Sequence, residues 1–195
     1  MRFRILHYDT VDSTNNLALS FARQGAEEGT VVCADYQTRG RGRFNRRWVS
    51  PRGKNLLFSI ILRPQMASSE APILTQWAAQ SVTEVLEENF KLPAKLKRPN
   101  DVLVKGKKIA GILTESSAYH QCLEHVVIGF GLNVNAGSTK LPKTATSICL
   151  ETGREGEKDK ILLEILETFK SKYRAISGNR TISKRPANRA ILQYG

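Results

Sequence analysis

Short apolar runs and helical stripes alternate along the chain. Residues 3–8 (FRILHY), 30–36 (TVVCADY), 56–62 (LLFSIIL), 101–104, 108–116 and 123–132 read as strands. The run 56–62 is apolar throughout, as suits a buried strand. Three stretches repeat at helical spacing instead. The first is capped by Asp12 or Ser13 and runs to about Gln24, with Leu17, Ala18 and Phe21 on one face and Gly25 as its stop. The second spans 72–90, carrying Ile73, Trp77, Val82, Val85 and Leu86. The third spans 158–176, carrying Ile161, Leu162, Ile165, Leu166, Phe169 and Tyr173. Lys105-Gly106-Lys107 between two strands signals a hairpin. Pro93 and Pro99 fragment the stretch before it. Residues 37–54 show no apolar period and form a long loop; 177–195 are polar and irregular.

This order of elements predicts an α+β domain: a mixed, largely antiparallel sheet with helices packed on one face. The Gly-rich loop runs into a strand rather than a helix. It is therefore neither a Walker loop nor a dinucleotide fingerprint. A chain of 195 residues fits one domain, here 1–176, with a short basic tail at 177–195.

Charge changes the picture. Thirty Lys and Arg stand against eighteen Asp and Glu, a net +12. The surplus concentrates in 39–54, 91–108 and 170–189, a field that attracts nucleic acid, nucleotide phosphates or an acidic protein. Three cysteines without metal-ligand spacing argue against a disulfide framework or a zinc site and fit a reducing cytoplasm. No apolar run is long enough to span a membrane, and the first residues do not read as a signal peptide.

The loop 37–53 reads QTRGRGRFNRRWVSPRG. Its glycines admit close backbone approach to a ligand. Its arginines offer planar donors to phosphate or carboxylate, and Trp48 offers a face for a ring. Nucleotide and nucleic acid are equal candidates on composition alone.

The segment GRGRFNRRW resembles the GRGRxxRxW loop of the biotin protein ligases, the biotin–(acetyl-CoA-carboxylase) ligases. Further segments match in order: Val11–Asn15 (VDSTN), Lys97–Asp101 (KRPND, like KWPND), Lys108–Leu113 (KIAGIL), Gly129–Val134 (GFGLNV) and Ala145–Ile148 (ATSI). The resemblance spans 11–148. It implies a catalytic domain like those of class II aminoacyl-tRNA synthetases and biotin ligases, and a two-step reaction. Biotin is activated by ATP to biotinyl-5′-AMP, with Mg²⁺ assisting. Biotin then passes to a lysine of the biotin carboxyl carrier protein of acetyl-CoA carboxylase.

On this resemblance Lys108, Arg41 and Arg43 are the catalytic candidates. Ser13, Thr14, Asn15, Gln37, Arg41, Lys108 and Gly111 are the biotin-binding ones. Arg43, Trp48, Asn100, Asp101 and Asn133 are the nucleotide-binding ones, with Asp101 near Mg²⁺. Ser13 reads equally as a helix cap, Trp48 as core, and Asn100-Asp101 as a turn.

The chain departs from the pattern at Arg98, where the family has Trp, and at Asn45, where many members have Gly. An arginine there must find a partner or reach solvent. The sequence starts in the first strand and is too short and polar after 176 for the family's small C-terminal β-barrel. The expectation is a cytoplasmic ligase that is not also a DNA-binding repressor, with a homodimer as a further implication. The rival readings are a catalytically weak biotin-binding relative, a lipoate-type ligase and a nucleic-acid-binding module.

Overall fold

A computed structural model describes residues 1–177. Seven strands form one sheet: β1 (Arg4–Val11), β2 (Thr30–Gln37), β3 (Leu56–Leu62), β4 (Ala94–Lys97), β5 (Asp101–Val104), β6 (Lys107–Tyr119) and β7 (Cys122–Leu132). The order across the sheet is β1-β2-β3-β7-β6-β5-β4. The pair β1–β2 is parallel and every other pair antiparallel. This is the mixed, largely antiparallel α+β arrangement that the element order implies.

The helices are α1 (Thr14–Arg23), α2 (Ala71–Phe90), the short α3 (Ile148–Thr152) and α4 (Lys158–Ser177). Alternation along the strands sorts them. Val31, Phe58, Ile60, Val126 and Ile128 point to one face and build the main core with α2 and α4. Val32, Ile61 and Val127 point to the other face, where Ala18 and Ala22 of α1 cover them. Helices on one face alone therefore holds for the two long helices and fails for α1. Its ten residues bury small side chains and pack chiefly on β2, β3 and β7. The rest of that face stays open, and the functional cleft lies there.

Phe58 and Phe130 stack inside the main core with centroids 4.4 Å apart. Such a pair adds about 0.5–1.5 kcal/mol beyond its burial. The β5–β6 hairpin turns through Lys105 (φ 48°) and Gly106 (φ 79°), two left-handed residues suited to a tight hairpin.

Two elements escape the sequence pattern. β4 lies in the stretch between Pro93 and Pro99, and its four residues pair with β5 from Ala94↔Val104 to Lys97↔Asp101. α3 is a single turn, capped by Ser147, whose hydroxyl accepts the Leu150 N–H at 3.2 Å. The tail expected at 177–195 lies, past Ser177, outside the described residues. Among those described, no helix is long and apolar enough to cross a membrane.

Candidate functional site

The central strands of the open face carry glycine where the helix-covered part carries valine. Val127, Gly129 and Gly131 share one side of β7, and Gly111 sits opposite Gly131 on β6. A cleft of about 320 Å³ lies over them. The Arg-Gly loop forms one wall and residues 97–101 another.

The loop folds back on itself. Gly42 N–H donates to Arg46 O at 2.7 Å and Trp48 N–H to Gly40 O at 2.9 Å. This closure lays Trp48 on the sheet. A Cβ on Gly131 would sit 2.5 Å from Trp48 Cε2, so only glycine fits beneath the indole. The indole N–H is buried and finds no acceptor among the described residues. Phe44, at the loop's 3-10 turn, adopts φ 55° and is exposed, with the Arg43 guanidinium 4.8 Å from its ring centroid.

Lys108 and Asp101 meet on the floor of the cleft, Nζ to Oδ1 at 2.7 Å. The backbone of Lys108 is held by the 144–146 segment: its N–H donates to Thr144 O and its carbonyl accepts from Thr146 N–H, both at 2.9 Å. Lys108 Nζ also lies 5.3 Å from the Trp48 ring centroid, within cation–π range. Asn100 reinforces the wall by donating from Nδ2 to Ile112 O at 2.8 Å.

At the other end stands the start of α1. Ser13 occupies the N-cap position with extended backbone, yet its side chain makes no cap hydrogen bond and lines the cleft. Thr14 N–H and hydroxyl donate to Gln37 Oε1 at 2.7 and 3.1 Å. Asn15 lies so close over Gly129 that a Cβ there would be 2.0 Å from its Oδ1. Its Nδ2 donates to Leu113 O at 3.1 Å and Glu115 Oε2 at 2.9 Å. Ser59 Oγ sits 2.6 Å from Asn15 Oδ1 and 2.8 Å from Thr14 Oγ1, sharing one proton between two acceptors. Glu115 closes the circuit by pairing with the Arg41 guanidinium.

The structure thus brings Ser13, Asn15, Gln37, Arg41, Arg43, Trp48, Asn100, Asp101, Lys108 and Gly111 to one cleft. Two residues are placed otherwise. Thr14 lies behind the wall, buried, bracing Gln37. Asn133 does not line the cleft. Its amide accepts from Asn55 Nδ2 at 3.1 Å and donates to Thr146 O at 2.9 Å, tying β7 to the 144–146 segment. It follows the last residue of β7, so strand alternation no longer aims it at the open face. Glu115 and Ser59 went unnoticed in the sequence. Glu115 follows Gly111 and Leu113 at a spacing of two on β6, and Ser59 is the one polar residue of LLFSIIL; both signals were present.

Comparison with known proteins decides the family. A model of the biotin/lipoate A/B protein ligase family matches residues 8–133. The chain belongs to that family. The bifunctional ligase/repressor BirA of Bacillus subtilis is 38% identical over 174 residues, covering 87% of this chain and 54% of that protein. A biotin–(acetyl-CoA-carboxylase) ligase of Paracoccus denitrificans is 37% identical over 158 residues, covering 77% of this chain and 65% of that one. The chain spans about half the length of the BirA relative. Among solved structures, a biotin protein ligase from Aquifex aeolicus, in complex with biotin and ATP, superposes with a TM-score of 0.77 at 31% identity. That match covers 90% of this chain and 72% of the other. Within the family, this cleft differs from the resembled KWPND pattern at Arg98, which reaches solvent at the cleft rim.

Proposed function

We propose that the chain activates biotin with ATP and transfers it to a lysine of a biotin carboxyl carrier domain of acetyl-CoA carboxylase. The observation that carries this reading is the meeting of Lys108, Arg41, Arg43 and Trp48 in one cleft over Gly129 and Gly131. The names of the relatives support the same reading.

In the first step a biotin carboxylate oxygen attacks the α-phosphorus of ATP. The bond from that phosphorus to the α,β-bridging oxygen breaks, and pyrophosphate leaves. Two anions must approach each other, so the site has to supply positive charge. Lys108, held by Asp101, meets the carboxylate and α-phosphate as they join. Arg41 and Arg43 cover them from the loop. Trp48 presents its ring to adenine, with a buried N–H left for a ligand acceptor. Ser13, Asn15 and Gln37 offer the polar groups suited to the biotin ureido ring. In the second step the carrier lysine's neutral amine attacks the anhydride carbonyl, AMP leaves, and the nitrogen loses a proton.

Mg²⁺ enters on the triphosphate. Among the described residues no cluster of three His, Cys, Asp or Glu forms a protein cage, and Asp101 is the one acid lining the cleft. That suits a metal bound by a single carboxylate plus substrate phosphates, where it neutralises charge. The reading places the chain in the reducing cytoplasm, where its three free cysteines stay thiols. A homodimer would form along an open sheet edge, β1 or β4.

The test is intact-mass analysis of a biotin carboxyl carrier domain after incubation with this chain, ATP, Mg²⁺ and biotin. The expected result is the gain of one biotinyl group, lost with Lys108→Ala. No gain, with no biotinyl-5′-AMP on the folded enzyme, sinks the reading.

A further inference from the structure

The cleft holds more positive charge than internal partners for it. Lys108 is paired with Asp101, and Arg41 with Glu115. Arg43, Arg46 and Arg47 on the loop, and Lys97 and Arg98 on the opposite wall, line the same cleft. None of these five has a carboxylate within ion-pair distance among the described residues. Such a rim is unfavourable to itself when empty and favourable to a polyanion.

Arg98 stands out among the five. It lies in the turn after β4, exposed, on the wall that leads to Asp101. It stands three positions before Asp101, at most about 11 Å of chain. Asp101 touches Lys108, where the α-phosphate reacts on the ligase reading. The β- and γ-phosphates follow the α-phosphate by one and two P–O–P links, so they fall within reach of this wall. A guanidinium presents a planar fork to phosphate oxygens. The tryptophan that the resembled motif carries at this position presents none.

We infer that Arg98 is a triphosphate-binding residue, gripping the β- and γ-phosphates of ATP and the pyrophosphate as it leaves. The inference rests on the ligase reading and deepens it. It makes Arg98 a residue of the first half-reaction only. Once pyrophosphate has gone, the adenylate keeps its α-phosphate alone, and Arg98 has nothing left to hold.

The test separates the half-reactions. Arg98→Ala raises the KM for ATP about tenfold and weakens product inhibition by pyrophosphate to a similar degree, as expected for one lost charge-assisted contact. Transfer from pre-formed biotinyl-5′-AMP to the carrier domain keeps its rate. Arg98→Trp behaves like Arg98→Ala, and Arg98→Lys lies between them and the parent. Lys95→Ala, on β4 and outside the cleft, loses the same unit of charge and leaves the KM for ATP unchanged. An unchanged KM for ATP in Arg98→Ala, or an equal loss in both half-reactions, overturns the inference. If the parent chain forms no adenylate, the ligase reading fails instead. Calorimetric titration then tests Arg98 alone: Arg98→Ala weakens ATP binding and spares AMP, whereas equal effects on the two nucleotides overturn it.

Discussion

The indole of Trp48 rests directly on Gly131. The ring belongs to the Arg-Gly loop and the glycine to β7, one residue before its end, so the contact fixes the loop's height above the sheet. Gly131→Ala puts a methyl group where Cε2, Cζ2 and Cδ2 now lie within 2.9 Å. Overpacking of this kind costs about 1–3 kcal/mol. The expected outcome is an outward shift of Trp48 and a KM for ATP higher by roughly tenfold, equivalent to about 1.4 kcal/mol. In a Trp77→Phe background the emission of Trp48 moves to the red. An unchanged spectrum and KM would show that the loop does not sit on the glycine.

Lys108 and Asp101 should act as a unit. Lys108→Ala lowers the rate of adenylate formation by roughly 10²–10³-fold, the usual loss when one group stabilising a developing charge is removed. Asp101→Asn frees Lys108 from its partner and lowers the rate less. The double variant falls by less than the product of the two single losses, because the two changes share one interaction. Single-turnover measurement of biotinyl-5′-AMP decides the point; strictly multiplicative losses would mean that the two residues work independently.

Glu115 holds Asn15 and Arg41 at once. Replacing it with Gln keeps the volume and removes the charge that keeps Arg41 at the wall. The KM for biotin rises by roughly tenfold while kcat stays near its parent value, as for lost ground-state positioning. Equal falls in kcat and kcat/KM would instead assign Glu115 to the transition state.

His125 gives the fold a dependence on pH. It is buried on β7, and burial, then the nearby Arg63, holds its imidazole below the ordinary value of 6.5. The unfolded chain takes up a proton near 6.5 that the folded chain takes up only at lower pH. Its contribution to stability is therefore full above 6.5 and is lost as pH falls from there toward the folded value. Urea midpoints measured at and below neutral pH should drop through that window, and His125→Asn should flatten the drop.

Much of this molecule was legible in local pattern. The strand 56–62, the helices near 72–90 and 158–176, and the hairpin at Lys105-Gly106 follow from apolar period and turn chemistry, which act over a few residues. The loop arginines announced anion binding by residue type, whereas Lys108 and Asp101 stood out only through their resemblance to the family's motifs. β4 and α3 were hidden because four or five residues are too few for a period to emerge.

Contacts across the chain followed a different logic. Whether α1 covers the face shared by α2 and α4 depends on strand parity summed over three strands, which no single segment contains. Asn133 binds Asn55 and Thr146 across the fold, a bracing that no single segment of the sequence contains. Glu115 meets Arg41 from 74 residues away and Asn15 from 100. Residue chemistry sets what each group is able to do, and the sheet's register sets which groups do it together.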